Sequence, residues 1–180
     1  MHIPRLGLPQ EGKTVAKSFR INQNALAALR EEAGKQTISL NTLVNQLLVS
    51  YSEFGRFMRQ MHMLMFTKQT FAEILNVVPE EKLAEAAVVA GKSAPQALIT
   101  SKHGKISVNG VIELVHYLSA YANFFEYSEQ EEGGHWTITL THELGRKWST
   151  FVAGYLEQAF LAAGVKVKHT VSDRSVTFSI

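Results

Sequence analysis

The chain has 180 residues, 46% of them hydrophobic and 19% charged, a balance expected of a folded protein rather than a disordered one. It contains no cysteine, which excludes disulfides, iron–sulfur clusters and thiolate zinc sites and makes a reducing cytoplasm the expected location. The net charge of +2 is unevenly divided, with eight Lys/Arg against four Glu in residues 1–61 and ten basic against twelve acidic residues beyond, so a polyanion would meet the front of the chain.

No stretch approaches the ~18 consecutive apolar residues of a membrane span, and no membrane partner is expected. Residues 1–12 carry Pro4, Gly7, Pro9 and Gly12 without the apolar core of a signal peptide, and read as a flexible arm. From Lys13 to Asn22 the pattern alternates. Val15, Phe19 and Ile21 share one parity, and Thr14, Ala16, Ser18 and Arg20 the other, the period-two signature of a half-buried strand. Lys17 breaks the apolar parity, although its stem can lie along a core while its ammonium reaches water.

Asn22 is placed to cap a helix running to about Ala33 with Leu26, Leu29 and Ala33 on one face, and Gly34 to end it in a left-handed conformation. Ser39 caps a second helix, whose Leu40, Leu43, Val44, Leu47, Leu48 and Tyr51 form a wide apolar stripe at helical period. One strand and two short helices cannot complete a core. The strand has no backbone partner, and the economical solution is a second copy whose strand pairs antiparallel about a two-fold axis.

The order strand, helix, turn, helix, with Ser-Leu-Asn-Thr-Leu-Val opening the second helix, resembles the ribbon-helix-helix family of the Arc and MetJ repressors over roughly Thr14 to Phe54. The resemblance implies an obligate homodimer, or a higher homo-oligomer, whose two-stranded ribbon enters the major groove of double-stranded DNA. It implies base-facing roles for Thr14, Ala16, Ser18 and Arg20. Arg20 can donate two hydrogen bonds to a guanine edge, Ser18 can donate or accept, and Ala16 offers apolar contact. Ser39, Asn41 and the N–H groups opening the second helix would grip phosphate, and Lys13 with Arg5 would touch the backbone without reading sequence. The plainer alternative is that Ser18 and Arg20 form an ordinary wet strand face and that Ser39 only caps.

Met58–Phe66 is apolar and methionine-rich, as packing segments are; His62–Phe66 fits either a short strand or a continuation of the second helix. Thr67 is expected to cap a short helix, Pro79 to take the first position of the next with Glu80 and Glu81 in its first turn, and Pro95 to interrupt the region. Ser107 then caps a helix through Leu118. Phe124–Ser128 and Trp136–Thr141 flank Glu131-Glu132-Gly133-Gly134, a hairpin signal. Glu143–Ala163 holds the best helical spacing, ended by Gly164, and alternating residues 165–171 and 176–180 form a last hairpin. The fold class is therefore α+β: a ribbon-helix-helix domain over 13–56 and, over 62–180, an antiparallel sheet covered by helices.

The stretch Thr141–Ser149 with its following helix and hairpin resembles the tail of uncharacterised archaeal-type proteins that carry a ribbon-helix-helix front, which implies no chemistry. The layout is also similar to that of nickel-responsive regulators, but their site combines histidines with a cysteine. The seven histidines here (2, 62, 103, 116, 135, 142, 169) form no H-x-H or H-x3-H pair. Neither metal nor cofactor is expected. His142 shares a face with Trp136, Ile138 and Leu140 and reads as a structural histidine. His142-Glu143 with Arg146 is the one cluster suited to acid–base work, yet no phosphate loop or nucleophile motif accompanies it, and the chain reads as no enzyme. The sequence points to a DNA-binding transcriptional regulator whose C-terminal domain senses a small-molecule effector, binds a partner protein or drives assembly. The alternative is an antitoxin-like protein whose C-terminal part binds a partner protein.

Overall fold

A computed structural model describes residues 14–60 and 62–180; the arm over 1–12 and Lys13 lie outside the described residues. The chain forms two compact units that divide, in sequence, between Met63 and Leu64. The protein is mixed α+β, with a four-stranded antiparallel sheet confined to the C-terminal unit.

In the N-terminal unit, α1 (Gln23–Lys35) begins where the Asn22 side chain accepts from the backbone N–H groups of Asn24 and Ala25 at 2.9 and 3.3 Å. Gly34 does not end it. The helix runs one residue past Gly34 and closes with Thr37 N donating to Gly34 O and Ile38 N to Ala33 O, which puts the β-branched Thr37 at φ 57°. Helix α2 (Leu40–Ser50) starts at Ser39, whose Oγ accepts from Thr42 N at 3.0 Å. It passes through one π-helical turn, Tyr51–Gly55, into α3 (Arg56–Gln60). His62 is left-handed, at φ 51°, and residues 63–67 carry no regular structure, so His62–Phe66 is neither strand nor helix. Ala33, Leu43, Phe54 and Phe57 are the buried apolar residues here.

The strand expected over Lys13–Asn22 does not form: residues 14–22 carry no regular structure and every one is exposed. The physical reason is the one that makes a lone strand untenable. Among the described residues no backbone hydrogen bond joins 14–21 to another segment, and a single strand has nothing to pair with.

The C-terminal unit opens with α4 (Lys68–Val77), capped by Thr67. Pro79 is the N-cap of α5 (Glu80–Gly91) rather than its first helical residue. Pro95 starts a helix instead of interrupting one: it is buried in the first turn of α6 (Ala94–His103), where proline's missing N–H costs no bond. Helix α7 (Val108–Ala120), capped by Ser107, buries eight of its thirteen residues and forms the centre of the unit.

Strands β1 (Glu126–Glu132) and β2 (His135–Thr141) pair in full register across Gly133-Gly134, both with positive φ, as a two-residue turn of this hand requires. Helix α8 (Arg146–Ala162) follows, and Gly164 at φ 80° ends it. Strands β3 (Lys168–Val171) and β4 (Ser175–Ser179) complete the order β1-β2-β4-β3, every neighbour antiparallel. Trp136, Ile138, Leu140, Val176 and Phe178 alternate inward and are buried with Leu156 and Phe160 of α8. The opposite face carries threonines, with Thr139 and Thr177 hydroxyls 3.2 Å apart. Four glutamates on β1 and Lys168 on β3 charge the two edges, which discourages further strand pairing.

Candidate functional site

Two regions can carry function. The first is the N-terminal segment with the start of α2. Thr14, Ala16, Ser18 and Arg20 are all exposed, as are Ser39 and Asn41; Lys13 lies outside the described residues. Ser39 Oγ is engaged by Thr42 N and lies 2.7 Å from the Thr42 hydroxyl, so its capping role is explicit. The N–H groups of Leu40 and Asn41 fall in the first turn, ahead of the intrahelical ladder, and can meet an anion. In a single chain the polar parity of residues 14–20 is not organised into a face.

The apolar parity tells more. Val15 is 79% exposed and Phe19 70%, while Leu48 on α2 and Tyr51 at the start of the π-helical turn are 55% and 54% exposed. Ile21 and Leu47 join them. Burying a fully exposed side chain of this kind is worth about 2 kcal/mol, and these six stay at least 46% exposed in one chain.

The second region is a cleft of about 300 Å³ in the C-terminal unit. It opens between the start of α4, the α7–β1 connection, the β2–α8 connection and the β3–β4 turn, and its walls are pinned. On one side Phe124 N donates to Leu118 O at 3.1 Å and Phe124 O accepts from Trp148 Nε1 at 3.1 Å. On the other, His142 N donates to Arg174 O at 2.9 Å. Lys68, Glu126, Glu143 and Arg174 bring charges of both signs to its rim.

The cluster His142, Glu143 and Arg146 is not brought together for acid–base work. His142 is buried, Nδ1 accepting from Leu144 N at 3.3 Å and Nε2 lying 2.9 Å from Ser149 Oγ. Burial holds its pKa below the usual imidazole range. Glu143 faces Arg174 at 3.7 Å, whereas Arg146 lies 3.9 Å from both Glu80 and Asp173. Glu143 also precedes α8, which starts at Arg146, so a place in that helix's first turn does not account for it.

A third cluster joins α6 to α7. Glu113 accepts from Lys102 Nζ and from the Tyr117 hydroxyl and pairs with His103 Nε2 at 2.6 Å. Burial raises the Glu113 pKa, but the Lys102 and Tyr117 hydrogen bonds and the Lys102 and His103 charges outweigh it and leave it lowered. His116, one turn on, has a buried Nε2 without a partner among the described residues, and its ring lies tilted against Tyr127, centroids 4.0 Å apart.

The cleft residues Lys68, Asn123, Phe124, Glu126 and Arg174 were invisible to spacing, because three separate parts of the chain supply them. Among the described residues no group of three or more His, Asp or Glu is arranged to hold a metal ion, and no helix is long and apolar enough to cross a membrane. The sequence matches no protein-family model and no curated protein.

Proposed function

We propose that the protein is a sequence-specific DNA-binding regulator that acts as a ribbon-helix-helix homodimer, with the C-terminal unit as its sensor or assembly module. The observation that carries this reading is the unfinished N-terminal unit. Helices α1 and α2 start at the expected caps, yet Val15, Phe19 and Ile21 on the preceding segment, Leu47 and Leu48 on α2, and Tyr51 just after it, remain uncovered in one chain. A second copy offers both missing things at once, a partner strand for the backbone of 14–21 and cover for the apolar parity. The opposite parity, Thr14, Ala16, Ser18 and Arg20, then lines the outer face of a ribbon of the width a major groove admits. The basic excess of residues 1–61 suits that role.

The C-terminal unit has a complete core of its own, centred on α7, α8, β2 and β4. That weighs against the antitoxin-like alternative, in which the tail gains order on a partner. The test is selection of bound duplexes from a random pool by the full chain. The expected result is one enriched motif with two-fold symmetry. A pool that stays random while the protein remains folded overturns the proposal.

A further inference from the structure

We infer that the cleft between the α7–β1 and β2–α8 connections binds a free α-amino acid with an apolar side chain. This gives a ligand class to the sensor role proposed above, and rests on that reading only for its effect on DNA.

The cleft's volume of about 300 Å³ lies at the small end of ligand pockets and suits a molecule of this size. Its walls are held by hydrogen bonds at Phe124 and His142 before any ligand arrives, so little ordering remains to be done on binding. The four charged side chains on its lining are two cations and two anions, which disfavours a ligand of single sign and favours one carrying both. Arg174 and Glu143 are matched to each other across 3.7 Å. The side chains of Lys68 and Glu126 make no ion pair or hydrogen bond among the described residues, although the Glu126 backbone pairs with Thr141. They leave one ammonium and one carboxylate to engage a ligand carboxylate and a ligand ammonium respectively. Phe124 and Leu144 supply apolar lining against which a side chain can lie. The His142 nitrogens are both engaged, and burial favours its neutral form, so it adds no charge to this balance.

The experiment is calorimetric titration of the full chain, without DNA, with each of the standard amino acids and with the 2-oxo acid and the amine that match the best binder. The expected result is one-to-one binding of at least one apolar amino acid with a Kd of about 1 mM or tighter, and at least tenfold weaker binding of both singly charged analogues. Lys68→Met and Glu126→Gln should each weaken it about tenfold, the loss of one charge-assisted contact. Both side chains are exposed, so unchanged melting of the variants separates lost contact from lost fold. Absence of binding by every amino acid overturns the inference, as do analogues or variants that bind as well as the parent pair. Because no DNA is present, either outcome leaves the DNA-binding reading to its own test.

Discussion

His142 and Ser149 are hydrogen-bonded inside the C-terminal unit. The Leu144 N–H donates to Nδ1, so the neutral ring carries its proton on Nε2 and donates it to Ser149 Oγ at 2.9 Å. Ser149 is fully buried, and its hydroxyl oxygen accepts that proton. Ser149→Ala should therefore leave a buried donor unpaired and cost about 1–3 kcal/mol of unfolding free energy. Chemical denaturation of the full chain measures this, and a change within experimental scatter would show that water replaces the hydroxyl.

The same ring gives the pH dependence a direction. Burial lowers the pKa of His142 from 6.5, and burial lowers that of His116 against the opposing charges of Glu129 and Glu113. Below pH 6.5 the unfolded chain takes up protons that the folded one resists, so stability is full above that value and falls as the solution is acidified. Glu113, depressed from 4.5, adds a second loss below about that pH. Melting temperatures between pH 8 and 4 should fall in that order, and His142→Gln should flatten the first phase. A melting temperature rising from pH 7 to 5.5 contradicts the assignment.

Helices α5 and α8 approach closely enough to exclude a methyl group. A Cβ on Gly91 would lie 2.4 Å from the Tyr155 carbonyl oxygen, a backbone atom that cannot step aside. Gly91→Ala should destabilise the C-terminal unit by about 1–3 kcal/mol, despite alanine's better helix propensity. Thermal unfolding of the variant is the measurement, and a gain in stability would mean the helices can separate.

Thr37 offers the opposite case. It closes α1 with φ 57°, a conformation in which a β-branched side chain is strained. Thr37→Gly should stabilise the N-terminal unit by about 1 kcal/mol, read by hydrogen exchange of the amides of α1.

The DNA-binding proposal separates two faces of one segment. Arg20→Ala should reduce preference for the selected duplex by about tenfold, the scale of one lost base contact, while leaving the sedimentation of the complex unchanged. Phe19→Asp should instead shift the protein to single copies and abolish binding to all duplexes. A folded monomer of the parent chain at micromolar concentration, with Phe19 in water, argues against the whole scheme.

Local chemistry was legible in the sequence wherever a single residue decides the backbone. Asn22, Ser39, Thr67 and Ser107 all cap where their positions predict, and Gly133-Gly134 turns the hairpin. Gly34 and Pro95 misled because each has two uses. Glycine tolerates a helix interior when the closing bonds come from Thr37 and Ile38, and proline begins a helix as readily as it stops one. The alternation over 13–22 suggests a strand, yet residues 14–22 carry no regular structure, because a period-two pattern supplies no partner for the backbone. The cleft was hidden because Lys68 and Arg174, far apart in sequence, come to line one cavity only through the packing of the whole unit.

The contrast between a finished C-terminal core and an open N-terminal segment bears on dosage. A newly made copy then waits with Val15, Phe19 and Ile21 still wet. Under the homodimer reading, occupancy of a target then rises with roughly the square of the supply at low abundance. Scarce protein would leave its sites empty and a modest increase would fill them, a threshold that comes from the missing strand rather than from any effector.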